Sequence, residues 1–380
     1  MDMYDRGRER RGRVPYEISW WQLTTILICS HLSLVVSYTP EITGWRPPVR
    51  DAWLAVLLAW IPGFLSSLAA WWVAKRFEGQ NLFQITRRVY GRFLGTLANI
   101  GLIAYFLYWA TLITREFSVF TASVVFLRTP EFLFAILFLL IGFVGASLQI
   151  EFIGRGAELS APFVIGGLLL LILGSLPEVD LGMLQPFLAE GWLGVFRQAA
   201  TPIVVFAEAG LVALLTMPYL NNLQDGPKAL QVGFAINVFF AAATAAILVG
   251  MFGVELMALA SFPAASAARL VRLGTVLERV EWILVVLWLG SMCVKLGLLL
   301  LGARLGLSSL FPGIHPAWLL LFVVTAVFIW QLFILPTLAH VLEIFVFRLR
   351  LRAWPHLAAE LTPLLLAAVA FLRRAGADRS

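Results

Sequence analysis

Apolar residues fall in ten long blocks, separated by short polar or basic segments. The blocks cover roughly 19–39, 52–74, 94–127, 131–148, 158–176, 197–220, 230–253, 276–303, 316–336 and 357–372. Most hold about the 20 apolar residues a helix needs to cross a hydrocarbon core about 30 Å thick, and the last is the shortest. The pattern predicts an all-α polytopic membrane protein with about ten transmembrane helices. Residues 1–18 form a basic N-terminal tail, 19–374 a single transmembrane domain, and 375–380 a short C-terminal tail.

Composition agrees with that class. Hydrophobic residues are 61% of the chain and charged residues 13%, with mean hydropathy +0.89. A soluble protein carries about 25% charged residues, so little soluble mass is left here. The net charge of +6 is therefore a matter of loops and orientation rather than of nucleic acid. If ten spans are threaded through a bilayer, sixteen Lys and Arg fall on the side of the termini and nine on the other. That bias makes both termini cytoplasmic. The run FRLRLR at 347–352 argues the other way and leaves the topology of 337–356 open. Cys29 and Cys293 lie inside apolar runs, where they read as packing residues rather than a disulfide framework. The charged start MDMYDRGRERRGR, followed by a whole bundle of spans, reads as a tail and not as a cleavable leader.

The stretch RQAATPIVVFAEAGLVALLTMPYL at 197–220 holds the chemistry. It carries Glu208 at its centre, punctuated by Pro202, Gly210 and Pro218. A charge at the bilayer midplane costs roughly 2.5–3.5 kcal/mol on insertion scales, so it normally faces a partner or a watery cavity. Irregular backbone at that depth occurs only where it lines protein or a cavity. The first block has a polar, small-residue middle, Cys29-Ser30-His31-Leu32-Ser33, and closes on Pro40. Blocks one and six each open a group of five. Two repeats, about 19–176 and 197–374, with broken helices 1 and 6, are the pattern of a LeuT-type 5+5 inverted repeat. The eighth block adds Trp288, Ser291 and Lys295, and the third adds Tyr105, Trp109 and an Arg115-Glu116 pair expected near the outer leaflet.

Short motifs in order along 18–374 carry a resemblance. They include Ile18-Ser19 with Gln22-Leu23, Asp51-Ala52-Trp53-Leu54, and Arg76-Phe77-Glu78-Gly79-Gln80. Tyr90-Gly91 with Leu94-Gly95, Tyr105-Phe106 with Arg115, Arg128-Thr129-Pro130, and Ile150-Glu151 with Arg155 and Ala157-Glu158 follow. Then come Glu208 with Met217-Pro218-Tyr219-Leu220, Leu277-Glu278-Arg279 with Trp288 and Lys295, and Thr362-Pro363-Leu364 with Arg373-Arg374. In this order and spacing the chain resembles the B-subunit permeases of spore germinant receptors, in the amino acid–polyamine–cation permease superfamily. The resemblance implies a LeuT-type permease domain in a spore's inner membrane. It also implies a small germinant of the amino-acid class as ligand, and A and C receptor subunits as partners. One departure stands out. Ser33 occupies the place, ahead of Pro40, where that family has a small Gly, and His31 flanks it.

An amino-acid ligand brings a carboxylate and an ammonium into the bilayer. Free N–H groups of an unwound helix favour the first, and a carboxylate or unwound carbonyls favour the second. The expected substrate-binding residues are Ser30, His31, Ser33, Tyr105, Trp109, Phe206, Glu208, Ser291 and Lys295. Alternatives stay open for several of them. Glu208 either takes the ligand's ammonium or pairs with Lys295, and Tyr105 and Trp109 either close a pocket or simply pack. No catalytic constellation, metal-ligand spacing or phosphate-binding loop is legible, so neither an enzyme nor a cofactor is expected. Two functional classes remain: a nutrient-sensing receptor subunit, and a secondary transporter moving an amino acid or amine with a monovalent ion.

Overall fold

The structure is a computed structural model describing residues 17–37, 50–126, 128–259, 263–270, 280–334 and 359–373. Residues 1–16 of the basic tail, Pro40, the run at 347–352 and residues 375–380 lie outside the described residues. What is described is nearly all helix. The helices are α1 (Trp20–Ser37), α2 (Ala52–Arg76), α3 (Leu82–Tyr90), α4 (Arg92–Phe120), α5 (Glu131–Ser147) and α6 (Gln149–Ser175). They continue as α7 (Gly191–Thr216), α8 (Gly226–Leu259), α9 (Pro263–Leu270), α10 (Val280–Leu310), α11 (Pro316–Ile334) and α12 (Thr362–Leu372). Six spans among them are long and apolar enough to cross a membrane.

The outer surface shows what solvent the fold is built for. On α5, Phe132, Leu133, Ile136, Leu137, Leu140, Ile141 and Val144 are exposed, while Ala135, Phe138, Leu139 and Gly142 face inward. Large apolar side chains standing outward along a whole helix belong against lipid, because water would not tolerate a patch of that size. Polar groups go to the inside instead. Helix α1 lies at the centre, packed against α6, α7, α8 and α10.

Glycine sets the closest helix pair. A Cβ built on Gly63 of α2 would meet the Phe206 carbonyl oxygen of α7 at 2.6 Å, and one on Gly210 would run into Ser66. Small residues let membrane helices approach backbone to backbone, and dispersion contacts then hold them together. Gly210 thus serves contact with α2 rather than a break in α7.

The expected breaks are corrected by the structure. Helix α1 is continuous from Trp20 to Ser37 and α7 from Gly191 to Thr216, through Pro202. The polar middle of α1 stays helical because its side chains bond back to their own turn. Ser30 Oγ donates to Leu27 O at 3.3 Å and Ser33 Oγ to Ser30 O at 3.0 Å, a pattern that helices accommodate. Pro218 marks the end of α7, inside the 3₁₀ turn Met217–Tyr219. The non-helical backbone falls elsewhere, at Gly253 in α8 with φ 64°, a left-handed conformation glycine adopts without strain.

One further position differs from expectation. Helix α3 occupies the basic connection after the second span, started by an Asn81/Gln84 capping box. The last span was expected to enter the membrane near 357. Residues 357 and 358 lie outside the described residues; within them Glu360 packs against Tyr105, near the middle of α4, and Arg373 at the other end of α12 donates to Val89 O of α3. Eleven helical residues rise about 16 Å, so α12 covers about half of a hydrocarbon core.

One backbone link fixes α1 against α7. Ile18 N–H donates to Tyr219 O at 2.8 Å and Asn221 N–H to Ile18 O at 2.9 Å, a parallel bridge of Ile18 with Leu220. The start of α1 and the end of α7 therefore sit side by side, and the two helices run in opposite directions.

Candidate functional site

Lys295 Nζ stands 2.7 Å from Glu208 Oε2, and the two side chains are 1% and 2% exposed. Sequence separates them by 87 residues; α7 and α10 bring them together beside the polar middle of α1. The ammonium has three protons, and two acceptors and one aromatic face surround it. Besides Glu208, Nζ donates to Ser30 O at 3.4 Å and lies 5.4 Å from the centre of the Trp109 ring. A buried pair of this kind is held by geometry, since removing one partner strands the other charge in a low dielectric.

The rest of the cluster surrounds that pair. His31 Nδ1 lies 3.0 Å from Leu27 O and 3.2 Å from Ser30 Oγ. Its ring stacks on Phe206 at 6.4 Å between centroids, with an interplanar angle of 5°. Its Nε2 is buried without a hydrogen-bond partner among the described residues. Trp109 meets Tyr105 edge-on at 6.3 Å, so both rings belong to the core rather than to the lipid face. Of the nine residues expected from sequence, Ser30, His31, Tyr105, Trp109, Phe206, Glu208 and Lys295 converge here.

Ser33 and Ser291 lie about one helical turn from Ser30 and Lys295. Both are buried, and each hydroxyl turns to its own helix, Ser33 to Ser30 O and Ser291 to Trp288 O at 2.8 Å. They flank Trp288, whose indole N–H donates to Ser33 O at 2.9 Å. Trp288 also contacts Phe117 and Phe120, with centroids at 6.0 and 4.8 Å. An aromatic layer thus covers the cluster toward the Ser37 end of α1. Arg115 pairs with Glu131 at 2.9 Å, where Glu131 is 42% exposed, which fits a structural role at that end. Cys29 and Cys293 are free thiols.

Carbonyl oxygens of α1 take part although the helix is not unwound. Leu27 O receives Asn237 Nδ2 at 3.0 Å, Ser30 O receives Lys295, and Ser33 O receives Trp288. Each such oxygen has a second lone pair beyond its helical bond. Side chains from α8 and α10 therefore read the backbone of α1 directly.

Sequence reading missed one member of the cluster. Glu360 is fully buried, its Oε1 accepts the Tyr105 hydroxyl at 3.1 Å, and its backbone carbonyl accepts Ser66 Oγ at 3.4 Å. It lies within the electrostatic reach of both Glu208 and Lys295. A carboxylate inside an apolar run is the signal that could have found it, but this one opens a run and reads as a membrane edge.

The family described as "Spore germination protein" matches residues 17–338. Among curated proteins, the chain is similar to Spore germination protein YndE of Bacillus subtilis (strain 168), 23% identical over 78% of this chain and 81% of that one. It is similar also to Spore germination protein KB of the same organism, 27% identical over 80% and 81%. Solved structures show the same fold at low identity. MhsT in complex with L-phenylalanine aligns with a TM-score of 0.67 at 13% identity, over 94% of this chain and 89% of that one. A Na⁺-coupled sialic acid symporter in a substrate-bound outward-open state gives 0.61 at 10% identity, over 97% and 82%. The transporter Mhp1 in a closed conformation gives 0.59 at 14% identity, over 95% and 91%.

Proposed function

The chain belongs to the spore germination protein family, and from that premise we propose that it is the B subunit of a spore germinant receptor. It is an integral membrane protein with a transporter fold. In this reading it sits in the spore inner membrane with both termini cytoplasmic. Ten helices form two inverted repeats of five, and the chain signals with A and C subunits after binding a small germinant. The germinant class is an amino acid. The observation that carries the reading is the buried Glu208–Lys295 pair at 2.7 Å.

An amino acid is the chemical complement of that pair. Its ammonium replaces Lys295 beside Glu208, and its carboxylate replaces Glu208 beside Lys295, so no charge is left uncompensated. A ligand with only one of the two charges strands a buried partner, at a cost of about 3–5 kcal/mol. Ser30, His31 and Ser33 border the ligand's polar end, and Ser291 lies on the Lys295 face of α10 one turn away. Tyr105, Trp109 and Phe206 enclose its side chain, as apolar walls do in small-molecule sites. The likeness to MhsT in its L-phenylalanine complex supports an amino acid as the ligand class.

The second reading is a secondary transporter, coupled to a monovalent ion, and the shared fold with a Na⁺-coupled symporter favours it. One experiment separates the two. Spores lacking this chain are tested against a panel of single amino acids, and vesicles holding the chain alone are tested for uptake of any amino acid that fails. The receptor reading predicts a lost germination response, restored by the gene, with no uptake. Accumulation of label in the vesicles would establish the transporter instead.

A further inference from the structure

Beside the polar middle of α1 the described residues bring together two carboxylates, Glu208 and Glu360, and one cation, Lys295. Lys295 is committed to Glu208, and Glu360 has only the Tyr105 hydroxyl, on Oε1. Its Oε2 is buried without a hydrogen-bond partner among the described residues. Among the described residues, three charged or titratable groups face it. They are Tyr105 from α4, Glu208 from α7 and Lys295 from α10. From α2 the contact is Ser66, which is neutral. Arg373, on the same helix, is bound at its far end to Val89 O.

An ionised Glu360 would add a second negative charge beside Glu208, and among the described residues no second positive charge of this cluster matches it. Two carboxylates sharing one site do not both ionise readily, and full burial penalises the ionised form again. Sodium or an ammonium would balance the charge but needs coordinating room, and the Glu360 side chain is closed off from solvent. A proton needs none. We propose that Glu360 is a proton-binding site in the core, holding a carboxylic acid with its proton on Oε2 while Oε1 accepts from Tyr105.

The balance is one proton and no other species. The O–H bond on Oε2 is present while the core is packed, and its heterolysis returns one proton to water when the core opens. Opening therefore carries a proton with it. The inference rests on the charges of this cluster and not on the identity of the germinant.

Infrared difference spectroscopy on the purified full chain in lipid vesicles at neutral pH reads the proton directly. Subtracting the spectrum of Glu360→Gln from the unaltered protein should leave the carbonyl-stretch band of a protonated carboxylic acid. A difference made of carboxylate bands would overturn the proposal. The band should persist in sodium-free and sodium-containing buffer alike, and its loss on adding sodium would assign the site to a metal cation instead. Tyr105→Phe keeps the carboxyl and removes its hydrogen bond, so the band should move to higher frequency. That variant decides the matter alone if Glu360→Gln fails to accumulate: no change in the acid region refutes the site. The measurement needs no ligand, so it fails or succeeds independently of the germinant reading.

Discussion

Trp288 donates its indole N–H to the carbonyl oxygen of Ser33 at 2.9 Å, tying α10 to α1 just beyond the Glu208–Lys295 pair. The bond lies in the aromatic layer formed with Phe117 and Phe120. Any opening of the site toward the Ser37 end of α1 must break it. Because the donor is a side chain and the acceptor is helix backbone, it can be removed without unwinding either helix.

Trp288→Phe keeps a ring in the layer and deletes the donor. A neutral hydrogen bond contributes about 0.5–1.5 kcal/mol net, so the closed arrangement should lose about 1 kcal/mol. That shifts the population toward the open form roughly five-fold. Spores carrying the variant should respond at an about five-fold lower germinant concentration. A half-response concentration that stays fixed or rises would show that this bond does not hold the site shut.

Gly63 offers a test of packing with a control inside the same chain. Gly63→Ala places a Cβ 2.6 Å from the Phe206 carbonyl oxygen, which is backbone and cannot swing away. Overpacking of this kind costs typically about 1–3 kcal/mol. Gly101→Ala meets nothing within 4 Å, and there the gain in helix propensity of up to about 1 kcal/mol should show alone. Thermal unfolding in lipid should separate the two, with Gly63→Ala lower and Gly101→Ala equal or higher. Equal losses at both positions would mean that the α2–α7 contact is looser than described.

Much of this was readable from the chain, and the failures have physical causes. The apolar blocks became helices because lipid leaves the backbone no other partner, and the starts at Ala52, Glu131 and Pro316 coincide with expectation. Glu208 and Lys295 were conspicuous as charges within apolar runs. Their pairing was one of two alternatives left open, since 87 residues separate them and only the fold closes that distance. Glu360 was overlooked because it stands in the first turn of its apolar run, where carboxylates are ordinary; its depth depends on how α12 docks against α2 and α4. The breaks in the first and sixth spans were misread from residue type. Small polar residues in α1 bond to their own turn, Gly210 serves close approach, and Pro218 falls at a helix end. The Asn81/Gln84 capping box was a legible signal for α3, hidden by the basic character of the loop around it.

The Glu208–Lys295 pair carries the functional reading, and a double-substitution cycle measures it most directly. Glu208→Gln and Lys295→Met are made singly and together in the full chain, and unfolding is followed in lipid. Each single change strands a buried charge and should cost about 3–5 kcal/mol, while the double change leaves none and should be milder than either. The coupling between the two sites should then exceed the roughly 0.5 kcal/mol scatter expected of independent positions. A double variant whose loss equals the sum of the two single losses would contradict the pair, and with it the zwitterion-binding site built on it.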